Sequence, residues 1–330
     1  MNKRKLVAGV AYALLALTMI NGCGGSSTTN ETLDNTLPIV DNSEIPDTIF
    51  DSKITINFDA VVGDQGEVLC SQNGVAKEYT LGSTAAKGTI ADFRFFVSDI
   101  KLLMSDGSTQ TLKMENNTNQ YFDEVNGSVA ILDFEDNTGD CINRGNDSAT
   151  YKHIVGMINP TASVEGIEFT IGVPLTLNHV EFPDIPALTK TSMAWSWASG
   201  RKFVKLETNP VDGNNTAGDI FNYHVGSTGC TTTDGVTTCA QPNRATITFD
   251  TFDPKTEKIV IDYAQLLTLV DIKKDAGGPK GCMSGLTDPE CLTGKGDMLN
   301  RIGLDDVEAK GVCIDGDCSL HQKLFSVKPL

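Results

Sequence analysis

The chain has 330 residues, 40 % of them hydrophobic, with 43 acidic against 26 basic side chains and a net charge of −17. Such acidity repels phosphate backbones, excludes nucleic acid as a partner, and gathers cations near a soluble surface.

In chain order, Met1 to Lys5 form a basic start, Leu6 to Ile20 an apolar run, and Asn21-Gly22-Cys23 a small-residue cut site. This is the layout of a secretory signal, too short and wrongly flanked for a spanning helix. Ile20-Asn21-Gly22-Cys23 resembles the lipobox of bacterial lipoproteins, which implies removal of residues 1–22 and lipidation of Cys23. The mature chain then carries a net charge of about −20, since Lys3, Arg4 and Lys5 leave with the signal. The expected location is the periplasm or the cell surface, tethered to the inner or outer membrane. Residues 23–52 are rich in Gly, Ser, Thr, Asn and Asp with no periodic apolar face, and read as a flexible tether.

Residues 53–330 are enough for one large β domain. Short runs alternate apolar and polar residues between Gly, Asn, Asp and Pro, the period of half-buried strands. Such runs cover 53–62, 93–104, 129–135, 166–174, 202–208, 244–252 and 258–262. Their number predicts an all-β domain, an antiparallel β-sandwich or barrel-like fold. Helix is scarce: one segment at 263–271, capped by Asp262, and a second short turn at 296–303.

Eight cysteines follow Cys23, and in an oxidising compartment they read as up to four disulfides, although eight allow 105 pairings. Cys230 and Cys239 flank an Asp234-Gly235 turn that brings two strands together. Cys282 with Cys291 and Cys313 with Cys318 close short loops, leaving Cys70 with Cys141 by elimination. No spacing matches a thiolate zinc site.

The usual catalytic constellations are missing: no GxSxG elbow, HExxH, phosphate-binding Gly loop or CxxCH haem attachment. The chain is therefore expected to be no enzyme and to hold no haem of its own. Its four histidines are at 153, 179, 224 and 321. His179 and His224 lie where strand patterns run into Pro- and Gly-bounded loops, and two imidazoles on rigid strand ends make half a copper or zinc site. His153 and His321 read as structural or exposed. Trp195 and Trp197, spaced by two, share a face if their segment is a strand, as core anchors or as a redox-active pair. Beside them Met193 is a soft thioether suited to Cu(I).

Taken together, 92–104, 132–141, 169–179, 193–204, 224–244 and 281–291 resemble, in order, the MbnP-like periplasmic proteins, also called the metallo-mystery pair four-cysteine family. That resemblance implies a copper-binding protein, Cu(I) or Cu(II), acting in copper uptake, storage or sensing. It also implies a di-haem cytochrome c peroxidase-like (MauG-like) partner that oxidises a tryptophan to kynurenine. By position His179 and His224 are the implied ligands, and Trp195 or Trp197 the oxidised ring. The chain departs from the family at Gly200-Arg201-Lys202-Phe203, where Gly-Tyr-Lys-Phe is usual, and in the added Cys313, Cys318 loop. A second reading from another class is a surface adhesion or carbohydrate-binding sandwich, its Asp133–Asp140 loop holding Ca²⁺.

Overall fold

The structure, a computed structural model, describes residues 52–330 apart from 143, 145–148, 160–161, 180–183, 196–199, 213–217, 286–287, 292–297 and 306–310. The signal, Cys23, the tether as far as residue 51, and Trp197 lie outside the described residues. Among those described, no helix is long and apolar enough to cross a membrane.

Two sheets enclose the main core, as the alternating runs predict. The smaller has the spatial order Phe325–Pro329, Glu257–Asp262, Ser52–Val61, His153–Ile158 and Lys113–Met114. The larger is built on the 19-residue strand Ala86–Met104, which pairs along its length with Val204–Val211, Val164–Ile171 and Gly127–Asp133. Ala245–Phe249 extends it beyond Val164–Ile171, and Phe221–Val225 extends it beyond Val204–Val211. The expected antiparallel pairing holds except at two places. Ser52–Val61 runs parallel to Glu257–Asp262, and Phe221–Val225 runs parallel to Gly281–Cys282. Each pair is joined by a long excursion, so no hairpin dictates the direction.

The long strand keeps one face in the core by breaking its own alternation. Ile90, Phe93, Phe95, Val97, Ile100 and Leu102 all belong to the main core, although their numbering changes parity twice. The register shifts between Glu207 and Thr208 opposite Ala91, and between Glu168 and Thr170 opposite Asp99, which has φ +52°. Each bulge inserts one residue and returns the apolar set to the same side, where an uncorrected slip would expose it. Edge-to-face rings then join the sheets: Phe58 to Phe169 at 6.0 Å and Phe169 to Phe325 at 5.6 Å.

All four sequence-derived disulfides form, Cys70–Cys141, Cys230–Cys239, Cys282–Cys291 and Cys313–Cys318. Asp234 and Gly235 both have positive φ, 51° and 80°, which closes the predicted hairpin and sets Cys230 directly opposite Cys239. The predicted helix is shorter than expected, Tyr263–Leu267, with the Asp262 side chain accepting from the Ala264 amide as its cap. The 296–303 turn is a 3₁₀ turn at Asn300–Ile302. Two further helical turns, Leu175–Asn178 and Cys318–His321, carry too few residues for a helical period to show in the sequence.

Candidate metal centre

Residues that alternate with core residues along a strand point to the opposite face of the sheet. On the long strand these are Asp92 and Arg94, and yet both are fully buried. Pairing continues their row across the sheet: Asp133, Arg94, Lys205 and His224 lie side by side, with Asp92, Glu207 and Asn222 in the next row. Beyond them the same face turns apolar. Phe96, Val129, Ile131 and Phe203 pack there against Leu177, Ile185, Leu188 and Met193 from the 174–203 connection, forming a second core.

The charged row is tightly paired. Arg94 Nε donates to Asp92 Oδ1 at 2.9 Å and lies 2.9 Å from Glu135 Oε1, while Nη1 donates to Ser192 Oγ at 3.0 Å. Lys205 Nζ contacts Asp92 Oδ2 and lies 3.2 Å from Glu207 Oε1. Glu207 Oε1 also accepts from His224 Nε2 at 3.0 Å, and Arg144 Nη1 is 3.7 Å from Glu207 Oε2. Burial alone would raise the Glu207 carboxyl, but the His224 hydrogen bond and the charge of Lys205 overcome it and bring it down to about 2. Burial and the neighbouring Asp92 push Glu135 well above the carboxylate range, against the pull of Arg94. With Glu135 neutral, Arg94 and Lys205 balance Asp92 and Glu207.

Asp133 ends the row. Burial pushes its carboxyl up to about 7, against the pull of Arg94 and of its hydrogen bond from the Glu135 amide. A carboxyl whose pKa is higher in the folded chain contributes stability that is whole below the unfolded value and lost as pH rises through the folded one. That window runs from 3.8 to about 7. Wild type should therefore lose up to about 1.4 kcal/mol per pH unit there relative to Asp133→Asn, which does not titrate. Urea denaturation of both proteins at about pH 5 and about pH 7 measures it. Parallel profiles would remove the assignment.

His179 follows the short helix Leu175–Asn178. Asn178 Oδ1 accepts from the Arg201 amide at 2.8 Å, and Arg201 Nη1 donates to the Asn178 carbonyl at 2.7 Å. Asn178 Nδ2 is thereby the donor toward His179 Nε2, 3.0 Å away. Gly200, at φ +70°, lies so close that a Cβ there would be 2.6 Å from the Asn178 amide. The same imidazole nitrogen is 3.4 Å from Cys239 Sγ.

Trp195 is not on a strand, so the condition under which it and Trp197 would share a strand face is not met at Trp195. Thr191–Met193 is a 3₁₀ turn, Ala194 bridges to Arg201, and the Trp195 amide donates to the Gly200 carbonyl at 2.9 Å. Its ring rests on Gly226, where a Cβ would be 2.5 Å from the ring carbon Cζ3. Gly226 is two residues beyond His224, and Ser284 Oγ ties the segment by donating to the His224 carbonyl and accepting from the Gly226 amide.

His179 and His224 thus border one stretch of chain, 224–239, His224 at its start and His179 against Cys239. Among the described residues no group of three His, Cys, Asp or Glu side chains brings the two imidazoles together. His179 is grouped with Cys230 and Cys239, whose sulfurs are bonded to each other and offer no thiolate. Met193 is fully buried in the second apolar core. His153 is exposed beside Tyr151, and His321 lies near Asp315; neither is grouped with His179 or His224. The Asp133–Asp140 loop sends its carboxylates to separate partners, Asp136 to Thr138 and Asp140 to Thr89 and Asn209. A calcium cage is not formed by these groups. The residues missed by sequence reasoning are Asp92, Arg94, Lys205 and Glu207, which alternation assigns to a solvent face.

A copper ion fits one feature of this arrangement. His224 Nδ1 is buried without a hydrogen-bond partner, while Nε2 is held by a carboxylate, the pattern of a metal-ligating histidine.

The family model described as MbnP matches residues 51–284. The solved structure of MbnP from Methylosinus trichosporium is 28 % identical, with a TM-score of 0.66, over 84 % of this chain and 98 % of that chain. No curated protein matches the chain.

Proposed function

This chain belongs to the MbnP family, and from that premise we propose that it is an extracytoplasmic copper-binding lipoprotein acting in copper uptake, storage or sensing, not an enzyme. The observation that carries the copper reading is the buried, unpartnered Nδ1 of His224; the Trp195 ring rests on Gly226, two residues further along the same segment. Copper, when bound, supplies a cation that imidazole nitrogens and an aniline nitrogen suit. His224 would hold it through Nδ1, with His179 as the second candidate once its Nε2 is released from the Asn178 amide, and the sheet beneath His224 fixes the direction of its ring. Met193, packed among apolar side chains, is the weakest of the three ligand candidates.

Maturation by a di-haem, MauG-like peroxidase partner belongs to the same proposal. Two equivalents of hydrogen peroxide, reduced at the partner with release of two waters, would drive the four-electron oxidation that adds two oxygens and breaks the pyrrole C2–C3 bond of Trp195 or Trp197, and hydrolysis with one water would release the formyl carbon as formate. The product, kynurenine, exchanges an indole N–H for an aniline nitrogen and a ketone.

Copper titration of wild type, His179→Ala and His224→Ala tests the ligands. The expected result is loss of at least about 100-fold in affinity for each variant, a change of about 2.7 kcal/mol; unchanged stoichiometry and affinity would reject the site. Both tryptophans fall in the tryptic peptide between Lys190 and Arg201. After co-expression with the partner that peptide should be heavier by two oxygens less one carbon monoxide. Two unmodified indoles would end the maturation claim.

A further inference from the structure

We infer that Glu207 is a positioning residue that presents the Nδ1 lone pair of His224 to the metal, an inference that rests on the copper reading above.

Lys205 lies opposite His224, and Glu207 is two residues along the same face, diagonal to the imidazole and within reach of it. Its Oε1 is 3.0 Å from Nε2. Lys205 Nζ at 3.2 Å and Arg144 Nη1 at 3.7 Å keep the carboxylate ionised, so that it accepts hydrogen bonds and donates none. A lone pair on Nε2 would face that anion at hydrogen-bond distance and be repelled. The imidazole proton therefore resides on Nε2. A proton on Nδ1 would be a buried donor with no acceptor, the costlier of the two ways to leave that nitrogen unpaired, so the ring has this one N–H. Nδ1 then carries the lone pair, and it is the buried nitrogen without a partner.

Glu207 has no structural need of the imidazole, because two cations already pair with its oxygens. What the contact adds is a defined tautomer, a fixed ring direction and greater basicity at Nδ1, the three contributions a carboxylate makes to a metal-bound histidine. Without them the neutral ring divides between two tautomers, one of which places a proton where the metal must bind.

The first test needs no metal. Long-range ¹H–¹⁵N spectra of metal-free wild type should show His224 as the Nε2–H tautomer. Glu207→Gln, whose amide presents either oxygen or nitrogen to the ring, should bring in the Nδ1–H form, and Glu207→Ala should increase it. In titrations with copper(II) ions alone, Glu207→Gln should bind about 10- to 100-fold more weakly than wild type, with melting followed alongside to separate lost folding from lost positioning. An Nδ1–H tautomer in wild type would overturn the inference. So would wild-type copper affinity in both Glu207 variants when His224→Ala has lost it. If His224→Ala binds copper as wild type does while the Nε2–H tautomer is seen, the copper reading fails and the tautomer assignment stands.

Discussion

Arg94→Met should lower stability by about 3–5 kcal/mol, the range for removing one partner from a buried charge pair. The side chain is fully buried, and the guanidinium is bound by Asp92, Ser192 and the Arg144 carbonyl. Methionine fills most of the space and so leaves little cavity, and the loss is electrostatic. Asp92 would remain in the interior with Lys205 alone, and the neutral Glu135 carboxyl would lose its contact with the guanidinium. The pair as a whole has little net worth, since two charges were taken out of water to form it. Asp92→Asn in the Arg94→Met background should accordingly recover part of the loss, because Lys205 still has Glu207. Guanidinium denaturation of the two single variants and the double variant forms the cycle. Additive losses would mean that the two side chains do not interact as the structure describes.

Removing the Cys70–Cys141 bridge with a double alanine variant should cost about 4 kcal/mol, the chain-entropy value for closing a loop of this length. The two cysteines are 71 residues apart, against five for Cys313–Cys318, whose loss on the same account costs about 2 kcal/mol. The long bridge also lies against Glu135, with both sulfurs and a carboxylate oxygen within 4.8 Å of one another. Its removal therefore loosens the cover over the Arg94 cluster as well as freeing the unfolded chain. Denaturant midpoints for the two double variants decide the order. An equal or smaller loss at Cys70–Cys141 would refute the entropic account.

The local features were legible in the chain because each is encoded by neighbours in sequence. Period-two apolar runs marked the strands, Asp234-Gly235 marked the hairpin, and short cysteine spacings left one long pairing for the remainder. His179 and His224 stood out because there are so few histidines and because both were expected at strand ends; His224 is at one, whereas His179 caps a single helical turn, too short to show a helical period. The charged row was hidden for a physical reason. A strand exposes alternate residues to whatever covers its second face, and composition cannot say whether that is water or chain. Asp92 and Arg94 alternate with core residues and so lie on that second face; folding laid Arg144 and Ser192 over them, and burial turned the charges into a paired interior network. Glu207 acquired its place at His224 only through the register of Val204–Val211 against Phe221–Val225, a pairing between residues 17 apart that no local pattern specifies. Two bulges in Ala86–Met104 then decided which side of the sheet each of these residues would occupy.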